Sequence, residues 1–375
     1  MTQIALALEF SEPAVSSRTS HARAAHSPTH TLNAFESEGF AIGWDHARYG
    51  VVPPVDHLHP GHPVRQGWDA FRARSLAPHR CAAQPSSAWA VGAWLGLRLA
   101  AWARSMPVEP VAVTVSWIRR LRVTHCPITR EALTWGLGLA SDAQVVVLNE
   151  AAGVAAGNLA VVSRRAAAAR ALGGDAQQAV AHAQALRAPG ATHAGLDTPA
   201  WKRWAGLISL ATPLPHTRVS AQALTVFPPP RVRVLNAAQA VQTMLSSLWM
   251  GPGYARRLAD VSACLSRPLQ RRRLSLLMSA LLARRLEQGW SAHPHQVRHA
   301  LEDAWGHPAV LRRWQDLMQC LDAPSCERWV RRVLALGAAH PTLRWMDAQR
   351  ATEGWAVSAP PSQGEVVIDD HRCVV

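Results

Sequence analysis

The chain is 375 residues long, with 49% hydrophobic and 17% charged side chains, so it is neither disordered nor fibrous as a whole and has room for two or three domains. Thirty-nine basic against 25 acidic residues give a formal net charge of +14, which admits an anionic partner such as DNA or RNA. Only one basic residue is a lysine, Lys202, and Arg and Ala abound, so the charge has a second reading as a by-product of GC-rich coding.

Residues 1–38 read as a mobile leader, rich in Ser, Thr, His and Ala. An N-terminal region then spans 39–186. It opens on an echo, Gly43-Trp44-Asp45 and Gly67-Trp68-Asp69, which predicts two similar turns, each anchored by a buried indole. Between them stands the densest ligand cluster, Asp56-His57-Leu58-His59-Pro60-Gly61-His62. Asp56, His57, His59 and His62 offer a site for Zn²⁺ or Ni²⁺; no fixed zinc spacing is met, and a chance cluster in a polar loop is the competing reading. Over 87–105, Trp89, Val91, Trp94, Leu95, Leu97, Leu99 and Trp102 form a broad apolar face, predicting a helix stopped by Pro107. Its core, 89–103, is short and interrupted by Arg98, which marks a buried helix and predicts no membrane partner. After Pro110, alternating valines would suit a strand, but 114–121 also fits helical spacing and a helix is expected.

An alanine-rich helix is predicted over 166–186, broken at Gly173-Gly174. Residues 187–235 carry Pro189, Pro199, Pro213, Pro215 and Pro228-Pro229-Pro230, which predicts a Pro-rich connector with one short helix at 201–210. An α-helical domain is expected over 236–355. Its apolar stripes are Val241, Leu245, Leu248 and Trp249, then Leu274, Leu277, Met278, Leu281, Leu282 and Leu286 closed by Gly289, with further helices at 297–305, 310–321 and 326–336. The tail, 356–375, is expected to be disordered. Arginines of the last domain fall in tight groups, and neighbours on a helix point about 100° apart, so each group makes a broad edge. Arg271, Arg272, Arg273, Arg284 and Arg285 are therefore candidates for phosphate contact, against the alternative of a solvated face. Most of the 16 tryptophans sit in apolar stripes and are assigned to the core.

The central segment reads His125-Cys126-Pro127-Ile128-Thr129-Arg130-Glu131 and, further on, Gly153-Val154-Ala155-Ala156-Gly157-Asn158-Leu159-Ala160-Val161-Val162-Ser163-Arg164-Arg165. Over about 125–172 it resembles HNH-type nucleases, whose branch runs C-P-V, S-x-D-R, G-Y-x-x-G-N-L/V and S-x-R-A-N-x-x-K. The resemblance implies a β-hairpin and helix gripping one divalent metal, with Mg²⁺ or Zn²⁺ as cofactor if the site is active. It also implies a retained motif position at Asn158. The D-R pair falls on Val146 and Val147, the helix ligand on Ala167 and the trailing Lys on Arg170, so two of three working positions are aliphatic. A shifted alignment would offer Asn149 or Asp142 instead. Apart from the motif, Asn158 reads as a side chain tying the hairpin to the helix start, and Cys126 as a buried thiol.

The fold class expected is mainly α with a small α+β insert: a ββα HNH-like module in the middle, followed by a C-terminal helical bundle. Six scattered cysteines without a C-x-x-C pair, and a first decapeptide unlike a secretory signal, point to the cytoplasm. No Walker loop, dinucleotide fingerprint, G-x-S-x-G or H-E-x-x-H occurs, which disfavours the common NTPase, dehydrogenase, hydrolase and zincin classes. The expected function is nucleic-acid binding through a degenerate, inactive HNH-like module, with Arg164, Arg165 and Arg170 as further contacts. The alternatives are an active metal-dependent endonuclease and a protein-interaction module with compositional charge.

Overall fold

The first helix, α1 (Ala34–Arg48), begins on a capping box: the Asn33 side chain accepts from Glu36 N at 2.8 Å, and the Glu36 carboxylate accepts from Asn33 N at 3.1 Å. It therefore starts inside the segment expected as a leader. A computed structural model describes residues 33–74, 85–171, 176–186, 188, 190–250, 253–287, 293–339, 343–346 and 365–368.

After α1 comes α2 (Pro63–Arg74), and the two cross on glycine. A Cβ on Gly43 would stand 1.9 Å from the Val64 carbonyl oxygen, and one on Gly67 the same distance from that of Phe40. The echoed Gly-Trp-Asp blocks are thus helix interiors, not turns, and their indoles are half-buried. Helix α3 (Pro85–Ala103) packs on α1: the Trp102 indole donates to Phe35 O at 2.8 Å, and Arg98 pairs with Asp45 at 2.5 Å. Ile42, Val64, Leu99 and Trp102 form a small core of their own here. The short α4 (Val115–Arg119) follows, capped by Thr114.

Strands β1 (Ala143–Val147) and β2 (Leu159–Ser163) pair antiparallel, with Val145 opposite Val161, and α5 (Arg164–Ala171) leaves β2 directly. Helix α6 (Ala176–Ala185) follows; the expected break at Gly173-Gly174 lies outside the described residues. The predicted connector then proves to be core. Helix α7 (Thr198–Leu210) buries Trp201, Trp204 and Leu207, and Val226, Phe227 and the three consecutive prolines are buried as well. Pro199 sits in the first turn of α7, where a missing N–H costs nothing, and prolines open three later helices in the same way. Pro215 stands at the N-cap of another helix and the three consecutive prolines are buried at a turn, so proline density here does not mark a linker.

The remaining elements are α8 (His216–Ala221), β3 (Arg233–Val234), α9 (Ala237–Ser247), α10 (Tyr254–Ala263), α11 (Pro268–Glu287), α12 (Pro294–Trp305), α13 (Pro308–Met318), α14 (Ala323–Ala335), β4 (Leu343–Met346) and β5 (Glu365–Ile368). The described residues are thus mainly helical with small antiparallel sheets. Two expectations are corrected: 343–346 is a strand within the predicted helical domain, and β5 lies within the predicted disordered tail. Strand β5 runs between β3 and β4, which satisfies backbone groups that neither neighbour could satisfy alone. One apolar core runs from Ala90 through the β-hairpin and α7 to Ala339.

Candidate nucleic-acid interface

The loop joining β1 to β2 is organised by Asn158, which is 1% exposed. Its side-chain oxygen accepts from Asn149 N at 2.9 Å, while its amide donates to Asn149 O and Gly153 O, each at 2.7 Å. All of these bonds fall within the hairpin loop. The expected tie to the helix start is not made; Ser163 Oγ accepts from Ala166 N at 3.3 Å there instead. Gly157 precedes Asn158 at φ +84°, and a Cβ there would stand 2.9 Å from the Arg233 Cβ. Glu109 supports the same loop, accepting from Ala156 N at 2.7 Å.

Neither polar residue offered by a shifted alignment is free. Asp142 is buried; its carboxylate accepts from Thr134 Oγ1 at 2.6 Å and from the backbone N–H groups of Leu137, Gly138 and Leu139. The Thr134 hydroxyl, followed by those N–H groups, holds the acid below the ordinary carboxylate range. Asn149 donates to Ala211 O at 2.9 Å and accepts from Ala151 N at 3.1 Å. Val147 is buried and Val146 and Ala167 are half-buried, so the positions on which the resemblance would place working groups carry aliphatic side chains. Cys126 is a buried free thiol, as expected, and its Sγ accepts from Ser163 N at 3.2 Å and Thr129 N at 3.4 Å.

The first turn of α5 carries Arg164 and Arg165, both exposed. Arg164 donates to Gly138 O at 3.1 Å and stands 3.6 Å from Asp142; Arg165 stands 3.5 Å from Glu131. The long Arg165 pair, lying at the surface, exchanges readily for another anion, while Arg164 leans on the buried Asp142 with more than half of its own side chain in solvent. Beside them the loop anchored by Asp142 projects Leu137, 66% exposed, and its base bears Trp135, with the Arg122 guanidinium 4.2 Å from the ring centroid. Sequence patterning did not single out Arg122; the signal was its place after Arg119 and Arg120, three residues before His125.

Arg170 departs from expectation. It is 9% exposed, donates to Leu148 O at 2.9 Å and lies over the Trp204 ring, so it holds the end of β1 and cannot reach a phosphate. Burial, above all, pushes its pKa down. Its position on the inner face of a short helix, beneath a hydrophobic sheet, is what the linear pattern could not reveal. In α11, Arg273 turns inward to donate to Asp316 O and Cys320 Sγ, and Arg284 pairs with Glu287 at 2.6 Å. Arg271 and Arg272 remain exposed, Arg271 with its Nε on Leu265 O at 2.8 Å. The Arg285 side chain lies outside the described residues.

The Asp56–His62 cluster does not assemble as a ligand set. His57 Nδ1 and His62 Nε2 are 3.5 Å apart, and both rings pack edge-on against Trp102, while Asp56 and His59 are exposed. Among the described residues no group of three or more His, Cys, Asp or Glu side chains is disposed to hold a metal ion. A second histidine group escaped the sequence reading. His125 stacks on His295 at 4.1 Å between ring centroids, and His299 lies edge-on to both. Burial, with Arg130 and Arg298 adding to it, lowers the His299 pKa to about 4. Just below, Arg130 grips Asp303 at 2.7 Å and Glu302 at 3.3 Å, tying the Cys-Pro turn to α12.

Among the described residues no helix is long and apolar enough to cross a membrane. Comparison of the chain with protein-family models, with curated proteins and with solved structures finds no match.

Proposed function

We propose that the protein binds DNA or RNA through the face formed by Arg122, Arg164, Arg165 and the 135–141 loop, and that its 125–172 segment is an HNH-like ββα unit that has lost its cutting chemistry. The observation that carries this reading is the pairing of exposed, exchangeable arginines at the start of α5 with aliphatic groups at Val146, Val147 and Ala167. Arginine forks suit phosphate oxygens, and Arg122, exposed over the Trp135 ring, is held ready for one. The net charge of +14 favours encounter with a polyanion from any direction. No Lewis-base side chain stands at the aligned working positions to activate water.

The test is one gel experiment: purified protein with supercoiled plasmid, with and without Mg²⁺, Mn²⁺ or Zn²⁺, over a range of salt. A mobility shift that weakens with salt and leaves the plasmid uncut supports the proposal. Metal-dependent nicking abolished by Asn158→Ala would make the protein an enzyme and overturn the second half of it. The absence of a shift at low salt would overturn the first half and leave a protein-interaction role.

A further inference from the structure

Away from the β-hairpin, α6, α7, the α8 region and the end of α12 enclose a cavity of about 310 Å³, a size usual for small-molecule sites. Its wall is apolar, formed by Ala183, Ala205, Val219, Leu224 and the buried Trp305. The only charged side chains lining it are Lys202 and Arg218, both exposed at the solvent side, and no carboxylate lines it. Neither cation has a hydrogen-bond or ion-pair partner among the described residues. The polar groups deeper in are already satisfied: Gln239 donates to Ser209 Oγ at 2.8 Å, and Ser209 Oγ donates to Gly206 O at 2.6 Å. The cavity thus offers hydrogen-bonding capacity at its mouth and dry surface within. Lys202 adds a compositional point: it is the single lysine in a chain that otherwise uses arginine for every basic side chain. A coding bias towards arginine explains the other positions and not this one, whereas a compact ammonium suits a point anion at the cavity's edge.

We propose that this cavity binds a small amphipathic carboxylic acid, of the size of a medium-chain fatty acid, with its carboxylate between Lys202 and Arg218 and its apolar body against Leu224 and Trp305. The uniqueness of Lys202 makes the test direct. The full chain is pulsed with an amine-dimethylating reagent, and modification of Lys202 is read by peptide mass spectrometry, with the α-amino group as internal reference. Octanoate is expected to slow modification of Lys202 alone, with half-protection at about fifteenfold lower concentration than hexanoate, since each buried methylene is worth about fourfold in affinity. Octanol, lacking the charge, is expected to protect at least tenfold less well. Calorimetric titration of octanoate into Lys202→Met and Arg218→Met, both exposed positions, is expected to show a loss of at least tenfold in each. Equal protection by acetate, no protection by octanoate, or unchanged octanoate affinity in both variants would each overturn the proposal.

Discussion

The Asn158 carboxamide and the Asn149 peptide exchange two hydrogen bonds, Oδ1 from N at 2.9 Å and Nδ2 to O at 2.7 Å, so one side chain substitutes for a missing strand partner at the mouth of the hairpin. A third bond, to Gly153 O, closes the loop across its width. Asn158→Ala leaves the buried Gly153 O and the half-buried Asn149 N–H and C=O without this partner and is expected to cost about 2 to 3 kcal/mol, read by urea unfolding. Asn158→Asp keeps the acceptor but loses both donated bonds, and is expected to be as costly. If Asn158→Ala unfolds at the wild-type urea midpoint, the loop does not depend on this residue.

Arg164 and Arg170 lie on one short helix and are expected to fail in opposite ways. Arg164→Ala is expected to leave stability within about 0.5 kcal/mol, since its own side chain is more than half exposed and Asp142 keeps its bonds to Thr134 and the loop backbone. It is also expected to reduce the slope of log affinity against log salt by about 1. Arg170→Ala removes the bond to Leu148 O and the stack on Trp204, and is expected to cost about 2 kcal/mol while leaving the salt slope unchanged. Binding isotherms at four salt concentrations, with thermal unfolding of the same samples, separate the two. The reverse assignment would remove the α5 arginines from the interface.

Much of the helical architecture was legible because its signal is local. The stripes ending in Trp249 and Leu286 and the helices near 297, 310 and 326 all appear, bounded by the caps and prolines that helix termini need. The Asn33-x-x-Glu36 capping box was present in the sequence as well, inside a segment dismissed on composition. What failed was anything set by a distant partner. Gly43 and Gly67 look like turn residues until another helix backbone lies against them. Proline spacing over 187–235 looks like a linker until helix starts and a buried turn claim it. Strand β5 is too short to show alternation, and it exists by pairing with β3 and β4. Asn158 stands out in the sequence, but its partners lie 5 and 9 residues upstream, so the loop geometry decides what its side chain holds.

Glycine at the α1–α2 crossing has no tolerated replacement. Gly43→Ala or Gly67→Ala places a methyl group against a backbone carbonyl that no rotamer change can move. Each is expected to separate the two helices, at a cost of about 3 kcal/mol to the hairpin. The small core of Ile42, Val64, Leu99 and Trp102 is separate from the main one. Hydrogen exchange is therefore expected to accelerate over 34–74 and stay unchanged over 143–171. Faster exchange throughout the chain would show the hairpin to be a folding partner of the main core.

Glu302 is 1% exposed and accepts from Phe227 N at 2.9 Å, Arg298 at 3.2 Å and Arg130 at 3.3 Å, so a single carboxylate joins the Cys-Pro turn, the proline run and α12. Glu302→Ala leaves Arg130 on Asp303 and Arg298 on Phe227 O but strips both of one carboxylate and the buried Phe227 N of its acceptor, and is expected to cost about 2 to 3 kcal/mol. Glu302→Gln retains an acceptor for Phe227 N but not the charge, and is expected to recover less than half of that loss. Full recovery in the glutamine variant, measured by chemical denaturation, would show that packing and not charge holds this junction.

The histidine group beside that junction sets the response to acid. The pKa values of His299, at about 4, and of His125 and His62 are all lower in the folded protein than the ordinary 6.5, burial being the first cause of each. Between pH 6.5 and about 4 the unfolded chain consequently binds more protons at these histidines than the folded one, so stability falls as pH falls through this window, and the depressed Asp142 carboxyl continues the loss below it. Arg130 and Arg298 lie close enough to His299 to disfavour its imidazolium, and the His125 and His295 rings stand edge-on to it. Allowing for solvent screening of a half-buried ring, His299 accounts for about 1 to 2 kcal/mol of the loss. His299→Gln is expected to flatten the stability–pH curve between pH 6.5 and 4 while leaving stability at pH 8 within about 1 kcal/mol. Thermal unfolding across that range decides it, and an unchanged slope in the variant would assign the acid sensitivity to His46, His62, His125 or the carboxylates.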